Sequence, residues 1–173
     1  MQVYDPTPSG AERNLFRAAA LVSLEGRRIG ILENGKLNAV EILHEVADLF
    51  VKRNGCVIGA VYSKSNASAP APSETLAQAA AEVDFLITGL GDRGSCSTCS
   101  LHDGITFEQL GKRAVVLTTE PFEVTAKNIA RIMGLANYPF MKVQHPIGSC
   151  TTPELKARAE VAYQQALSIL LGS

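Results

Sequence analysis

The feature that most constrains this chain is a regular alternation of short β-rich runs with longer stretches of helical character. The runs are apolar almost throughout, as expected for strands that helices cover on both faces. They occupy residues 28–32, 56–62, 83–88, 114–118 and 141–144. The alternation predicts a single three-layer α/β domain with a five-stranded, mostly parallel sheet, and the flavodoxin-like strand order 2-1-3-4-5 is the first choice.

Helix signals fill the gaps between these runs. Asn38 with Glu41 forms a capping box, and Thr151 or Thr152 opens the last helix. The predicted helices cover residues 39–53, 74–82, 99–111, 122–134 and 154–171. The connector over residues 63–73, rich in Ser, Ala and Pro, is interpreted either as a mobile flap or as a disordered link.

Length and composition limit the size of the protein and its partners. A chain of 173 residues with 46% hydrophobic content can bury one good core. We assign residues 1–26 to an N-terminal arm, with a turn over residues 5–10, and residues 27–173 to the α/β domain. The formal net charge of −1 gives no basic excess for nucleic acid binding.

The same composition predicts a cytoplasmic protein. No apolar run approaches the roughly 18 residues of a membrane span, and the first residues lack the apolar centre of a secretory signal. Four cysteines are too few for a small fold stapled by disulfides. We therefore expect reduced cysteines, each of which is catalytic, metal-binding or buried in the core.

The predicted fold brings five segments to one place, since ligands bind beyond the carboxyl ends of parallel strands. These segments are 33–36, 63–64, 89–96, 118–120 and 145–150. We expect one pocket there, and its predicted lining includes Asn34, Ser95, Cys96, Thr118 and His145.

The third segment is the most informative because Gly89, Gly91 and Gly94 follow a strand and precede a helix. Glycines let backbone N–H groups approach a ligand, and a helix start adds unpaired N–H groups. The turn is thus interpreted as an anion site or, alternatively, as an ordinary glycine-rich turn. Its spacing matches neither the dinucleotide fingerprint nor a P-loop.

Cys96 and Cys99 form a Cys-x-x-Cys pair in this turn. A helix start stabilises a thiolate, and the spacing suits either a disulfide or two ligands of a metal ion. Further metal ligands would come from Cys150, His145 or His102 if the loops converge. The sequence leaves these alternatives open.

A second Gly-Ser-Cys, at residues 148–150, follows the last predicted strand. Cys150 either faces Cys96 across a cleft or is buried and inert. His145 is a candidate for proton transfer, or it anchors a turn. Glu120 is interpreted as a helix-start acid or a catalytic carboxylate, and Cys56 as a core residue.

Several segments resemble the UGSC family of bacterial (seleno)proteins. They include Gly-Asp-Arg-Gly-Ser-Cys-Ser at 91–97 and Ser-Leu-His-Asp at 100–103, and the others are 5–7, 31–39, 118–122 and 145–146. The resemblance implies a compact α/β domain with a selenocysteine or cysteine at a strand-to-helix turn, and hence redox or nucleophilic chemistry. Arg93 stands at the selenocysteine position, so selenium chemistry is not carried over.

The first hypothesis is a thiol-dependent enzyme that acts on a small anionic molecule by redox or nucleophilic cysteine chemistry. Cys96 is the nucleophile or redox thiol, Cys99 is the resolving thiol, and His145 transfers protons. Arg93 holds the anion. The predicted substrate-binding residues are Asn34, Gly91, Arg93, Gly94, Ser95, Thr118, Thr119 and Glu120.

Two alternatives belong to other classes. One is a metal-dependent hydratase or lyase whose ligands are Cys96, Cys99 and Cys150. The other is a non-catalytic subunit or binding module of a larger complex. We predict no cofactor for the first hypothesis, and a metal ion enters only with the second. The expected partner is a small molecule rather than nucleic acid or a membrane, and a homo-oligomer or a partner subunit is compatible with the sequence.

Overall fold

The computed structural model describes residues 15–173, and the predicted turn over 5–10 and the 5–7 segment of the resemblance lie outside them. The described residues form five strands and five α-helices. The strands are β1 (Arg28–Glu33), β2 (Val57–Ser63), β3 (Phe85–Gly91), β4 (Ala114–Thr119) and β5 (Met141–Val143). The helices are α1 (Ala39–Asn54), α2 (Ser73–Glu82), α3 (Gly94–Gln109), α4 (Glu123–Ile132) and α5 (Thr152–Leu171), with a 3₁₀ turn at Glu120–Phe122.

The sheet confirms the predicted fold class and strand order. Its order is β2-β1-β3-β4-β5, and every neighbouring pair is parallel. All the carboxyl ends therefore lie at one edge, with β3 in the centre. β3 and β4 are buried along their whole lengths, which explains their continuous apolar runs.

Helices cover both faces of the sheet. α1 and α5 pack together on one face, where Phe50 meets Phe85 and Tyr163 edge-on at centroid distances of 5.7 and 4.8 Å. On the other face, α2 and α4 each pack against α3. α3 lies close to β4 because Gly104 faces Val116, and a Cβ at Gly104 would overlap with the Val116 side chain.

Helix boundaries differ from the predictions at two places that matter for the site. α3 begins at Gly94 rather than Cys99, so both cysteines of the Cys-x-x-Cys pair lie inside the helix. The predicted capping box at Asn38 is wrong, since Asn38 is left-handed with φ 63° and makes no side-chain cap. The other predicted cap is confirmed, because Thr151 and Glu154 form a capping box at the start of α5.

Residues 15–26 contain no helix or strand but pack against the domain. The Arg17 guanidinium donates to Glu108 Oε1 at 2.6 Å, and the Leu21 N–H donates to the carbonyl of Leu170. Leu24 is buried in the core under α1. Within residues 15–173, no helix combines the length and the apolar character that crossing a bilayer requires.

Candidate functional site

Buried polar side chains are concentrated at the edge where the strands end and α3 begins. Burying such groups is costly unless hydrogen bonds compensate for the lost water, so their concentration marks a site rather than a core. Nine of the eleven buried polar residues in the described part of the chain are found here: Glu33, Asn34, Lys64, Thr88, Ser97, Ser100, Asp103, Thr118 and Thr119. The other two, Glu108 and Arg113, lie at the opposite edge.

Cys96 and Cys99 lie in the first turns of α3, and both are free thiols. Only 1% of Cys96 and 7% of Cys99 is exposed. Burial raises the pKa of Cys99, and the positive charge of Lys64 acts in the opposite direction. Asp103 is four residues beyond Cys99, so it lies on the same face of the helix.

The start of α3 lacks the side-chain groups that usually bind the free N–H groups of a helix N-terminus. Its N-cap residue, Arg93, makes no side-chain cap, and the first turn contains no acidic residue. The first N–H groups of the helix thus keep their partial positive charge. Arg93 and Ser95 are exposed beside them. This combination favours an anion at the helix start.

Gly91 allows the strand and the helix to meet so closely. A Cβ at Gly91 would lie 2.8 Å from Ser97 Oγ and 3.1 Å from Thr118 Cβ, so no other residue fits without a shift. The close approach buries Ser97 completely. It also places the end of β3 against β4.

Three buried acceptors at this edge, Asn34 Oδ1, Asp92 Oδ1 and Ser97 Oγ, have no hydrogen-bond partner among the described residues. Asn34 donates from Nδ2 to the carbonyl of Leu90 at 2.9 Å, which leaves its Oδ1 unpaired. Ser97 Oγ is likewise unpaired. Nearby, Lys36 Nζ lies 3.4 Å from Asp92 Oδ1. Unpaired buried acceptors cost free energy that a bound ligand with N–H or O–H groups would recover.

The connector between β2 and α2 is tied down over α3. Lys64 Nζ donates to Asp103 Oδ2 at 2.6 Å, and the N–H of Ala71 donates to the other carboxylate oxygen at 2.8 Å. Between them, Ser68 Oγ lies 3.1 Å from Ser95 Oγ. The connector therefore crosses the first turns of α3 and helps to keep the thiols out of solvent.

His145 is joined to the same edge through Thr119. Thr119 Oγ1 donates to the carbonyl of Gly91 at 3.3 Å and lies 3.2 Å from His145 Nδ1. Since the hydroxyl proton goes to Gly91, the hydroxyl accepts from a protonated Nδ1. Nε2 then remains for another partner. The ring of His145 is exposed and packs edge-on against Phe122.

Cys150 is not grouped with the other thiols. Its Sγ donates to the carbonyl of Pro146 at 3.0 Å, and burial raises its pKa. Asn38 fixes this loop by donating to the carbonyls of Ile147, Gly148 and Cys150. No three His, Cys, Asp or Glu side chains are grouped as metal ligands between residues 15 and 173. The metal set Cys96, Cys99 and Cys150 is therefore not assembled.

The remaining predicted residues fall outside the buried cluster. Glu120 is exposed in the 3₁₀ turn, and His102 is partly exposed with its Nδ1 buried and 3.8 Å from Asp103 Oδ1. Cys56 donates to the carbonyl of Leu24 at 3.1 Å, and burial raises its pKa to about 11. Cys56 thus occupies the core position that its strand suggested.

Two open grooves lie on the surface beside β5. A groove of about 1220 Å³ runs beside β5 between α4 and α5, and a smaller one of about 340 Å³ adjoins it. Cys96 lines neither of them. The connector and the close contact at Gly91 cover the place where the sequence predicts a pocket over Cys96.

The sequence reasoning missed the pairing of Lys64 with Asp103. Both residues were visible, since Lys64 directly follows β2 and Asp103 comes one helical turn after Cys99. A lysine at the end of a strand usually extends into water. Its burial depends on the path of the connector, which periodicity does not predict.

Comparison with protein-family models matches residues 2–172 of the chain to the UGSC family. A search of curated proteins gives no match.

Proposed function

Because the chain belongs to the UGSC family, for which cysteine chemistry is expected, we propose that it is a thiol-dependent enzyme that acts on a small anionic molecule. One observation carries the proposal. Two reduced thiols lie in the first turns of a helix whose start has neither a side-chain cap nor an acidic residue. Asn34 Oδ1 and Ser97 Oγ, which are buried acceptors without a partner in residues 15–173, lie at the same edge of the sheet and are available to a ligand.

Substrate binding uses the start of α3. A carboxylate or similar anion accepts hydrogen bonds from the free N–H groups of the first turn, and Arg93 adds a positive charge at the rim. Asn34 Oδ1 and Ser97 Oγ accept from N–H or O–H groups of the same molecule. Residues 65–70 of the connector move aside to admit it, while Lys64 and Ala71 stay bound to Asp103.

The chemical step is a thiol–disulfide exchange with a substrate that contains an electrophilic sulfur. The Cys96 thiolate attacks that sulfur, a new S–S bond forms, and the substrate's own S–S bond breaks. His145 Nε2 accepts the proton of the Cys96 thiol and passes it to the leaving sulfur, which takes the electron pair of the broken bond. The product at this stage is a mixed disulfide on Cys96.

Cys99 completes the exchange. Cys99 loses its proton, and its thiolate attacks Cys96 Sγ. The Cys96–Cys99 disulfide forms, and the second half of the substrate leaves as a thiolate that takes up that proton. Cα atoms three residues apart on a helix lie about 5 Å from each other, within the roughly 4.4–6.8 Å that a disulfide spans. The substrate gains two electrons from the two thiols, and a low-molecular-weight thiol returns the enzyme to its reduced state.

Oxidised glutathione, an anionic disulfide, tests the proposal on the full chain. We expect a Cys96–Cys99 disulfide in peptide mass maps, its loss in Cys96→Ser, and its persistence in the control Cys150→Ser. Arg93→Ala should slow the reaction at least several-fold through weaker anion binding. Oxidation of Cys150 with Cys96 still reduced would overturn the assignment. Binding without oxidation of any thiol would instead indicate a non-catalytic binding module.

A further inference from the structure

Lys64 and Asp103 form an ion pair in the interior beside the thiols. Their side chains are 3% and 0% exposed, and Nζ lies 2.6 Å from Oδ2. Removing two charges from water costs about as much as their attraction returns, so a buried pair is a poor device for stability alone. Its place next to Cys99 suggests a chemical role.

Asp103 holds the ammonium in a fixed position. One of its oxygens accepts from Lys64 Nζ, and the other accepts from the N–H of Ala71. In the part of the chain that the structure describes, Nζ makes no other hydrogen bond, so two of its three N–H groups remain available. Both carboxylate oxygens of Asp103 thus have a hydrogen-bond donor, whereas the Lys64 ammonium still has N–H groups without an acceptor.

The helix brings Cys99 to this ammonium. Cys99 and Asp103 are four residues apart on α3 and share a face, so a lysine bound to Asp103 also lies beside Cys99. The titratable groups that face Cys99 are Lys64 from the connector, and Asp103 and Cys96 from α3. Lys64 is the only cation among these three.

We propose that Lys64 is the counter-ion of the Cys99 thiolate and that Asp103 is the positioning residue that holds it there. The proposal rests on the function above, in which Cys99 attacks Cys96 Sγ as an anion. A buried thiol loses its proton at a cost, and a fixed ammonium reduces that cost. When the disulfide forms, the thiolate charge disappears and the ammonium keeps Asp103 as its partner.

The thiolate absorbance of Cys99 tests this role directly. The full chain carries Cys56→Ser, Cys96→Ser and Cys150→Ser, so only Cys99 titrates as a thiol. We expect Lys64→Met to raise the midpoint by about one pH unit or more and Lys64→Arg to restore most of the shift. Asp103→Asn should lower the midpoint, because it removes the negative charge and keeps the ammonium. Lys36→Met is the matched control and should leave the midpoint unchanged.

Lys64→Met and Asp103→Asn should shift the Cys99 midpoint in opposite directions, and this difference distinguishes a charge effect from a packing effect. A lesion in packing would move the midpoint in the same direction for Lys64→Met and Asp103→Asn, and that result would overturn the proposal. An unchanged midpoint in folded Lys64→Met would also overturn it. Should Lys64→Met not fold, Lys64→Met/Asp103→Leu removes both charges, and its midpoint should still rise, though by less.

Failure of this inference is distinguishable from failure of the proposed function. The absorbance titration needs neither substrate nor Cys96. A raised midpoint in Lys64→Met without any Cys96–Cys99 disulfide from oxidised glutathione would support the counter-ion and refute the thiol exchange. Formation of the Cys96–Cys99 disulfide together with an unchanged midpoint in Lys64→Met would support the thiol exchange and refute the counter-ion.

Discussion

The chain contains the tripeptide Gly-Ser-Cys twice, and the two copies lie in different chemical settings. Residues 94–96 form the first turn of α3, and Cys96 is buried there. Residues 148–150 belong to the loop before α5, and Cys150 is partly exposed and donates to the carbonyl of Pro146. The same three residues thus stand inside one helix and outside the other.

The starts of the two helices account for the difference. The Thr151 backbone N–H donates to Glu154 Oε2 at 2.7 Å, and the capping box occupies the start of α5. These hydrogen bonds also lower the pKa of Glu154. α3 has no such cap and no acid in its first turn. An external anion therefore finds free N–H groups at α3, whereas α5 supplies its own carboxylate.

The residues after each tripeptide, and not the tripeptide itself, determine which copy can bind an external anion. Thr-Thr-Pro-Glu follows Cys150, and Ser-Thr-Cys-Ser follows Cys96. The former sequence caps a helix, and the latter adds a second thiol. The following predictions test this contrast.

The largest expected effect comes from Asp103→Ala on the α3 side. This change leaves the ammonium of Lys64 buried without a partner, which should lower the free energy of unfolding by about 3–5 kcal/mol. Urea denaturation measures the loss. Arg158→Ala at α5 removes only a surface bond to the carbonyl of Gln144 and should change stability by about 0.5 kcal/mol or less.

A double variant sharpens the same test. Lys64→Met/Asp103→Leu replaces both charges with apolar groups and should recover part of the loss, while the Ala71 N–H still lacks its acceptor. Equal losses in the single and double variants would show that packing, rather than the unpaired charge, sets the cost.

The second prediction concerns glycines. Gly91→Ala should destabilise the protein by about 1–3 kcal/mol, because its Cβ must displace Ser97 or Thr118. Gly148→Ala is the control: its Cβ would be 3.7 Å from Leu37 Cβ, an ordinary contact. Thermal unfolding of the two variants gives the comparison. Similar melting temperatures would mean that the end of β3 relaxes more easily than its packing indicates.

The contrast also marks what the sequence can predict. Strand order and layers follow from periodicity and chain direction. The predicted bounds of β1, β2, β4 and β5 lie within one residue of the observed ones, and those of β3 lie within three. The start of α3 was predicted at Cys99, whereas the helix begins at Gly94. Gly94 and Ser95 have low helix propensity, and the packing of α3 against β3 and β4 overrides that preference.

The sequence alone does not predict contacts between segments that are distant along the chain. The burial of Lys64 depends on a connector without periodicity, and the position of Asn38 depends on the loop at 147–150. A capping box suits Asn38 locally, yet three carbonyls of the distant loop hold its side chain instead. Local patterns thus predict the elements better than the site that they build.

The third prediction tests the cap that distinguishes α5. Thr151→Ala removes the side chain of the N-cap and should cost about 1 kcal/mol of unfolding free energy. Thr151→Ser keeps the hydroxyl and should restore it, as chemical denaturation can show. A full loss in Thr151→Ser would indicate that the threonine methyl group, and not the cap, stabilises the helix.

The smallest effect on stability, and the most direct test of the contrast, is to give α3 the acid that α5 has. Ser95→Asp places a carboxylate in the first turn of α3, where it should stabilise the helix by about 0.3–1 kcal/mol. The same charge should compete with an anionic substrate and slow the oxidation of Cys96 by oxidised glutathione. Ser95→Asn is the control, since it also loses the hydrogen bond to Ser68 but adds no charge. If Ser95→Asp stabilises the fold and oxidises no more slowly than Ser95→Asn, the anion does not bind at the start of α3.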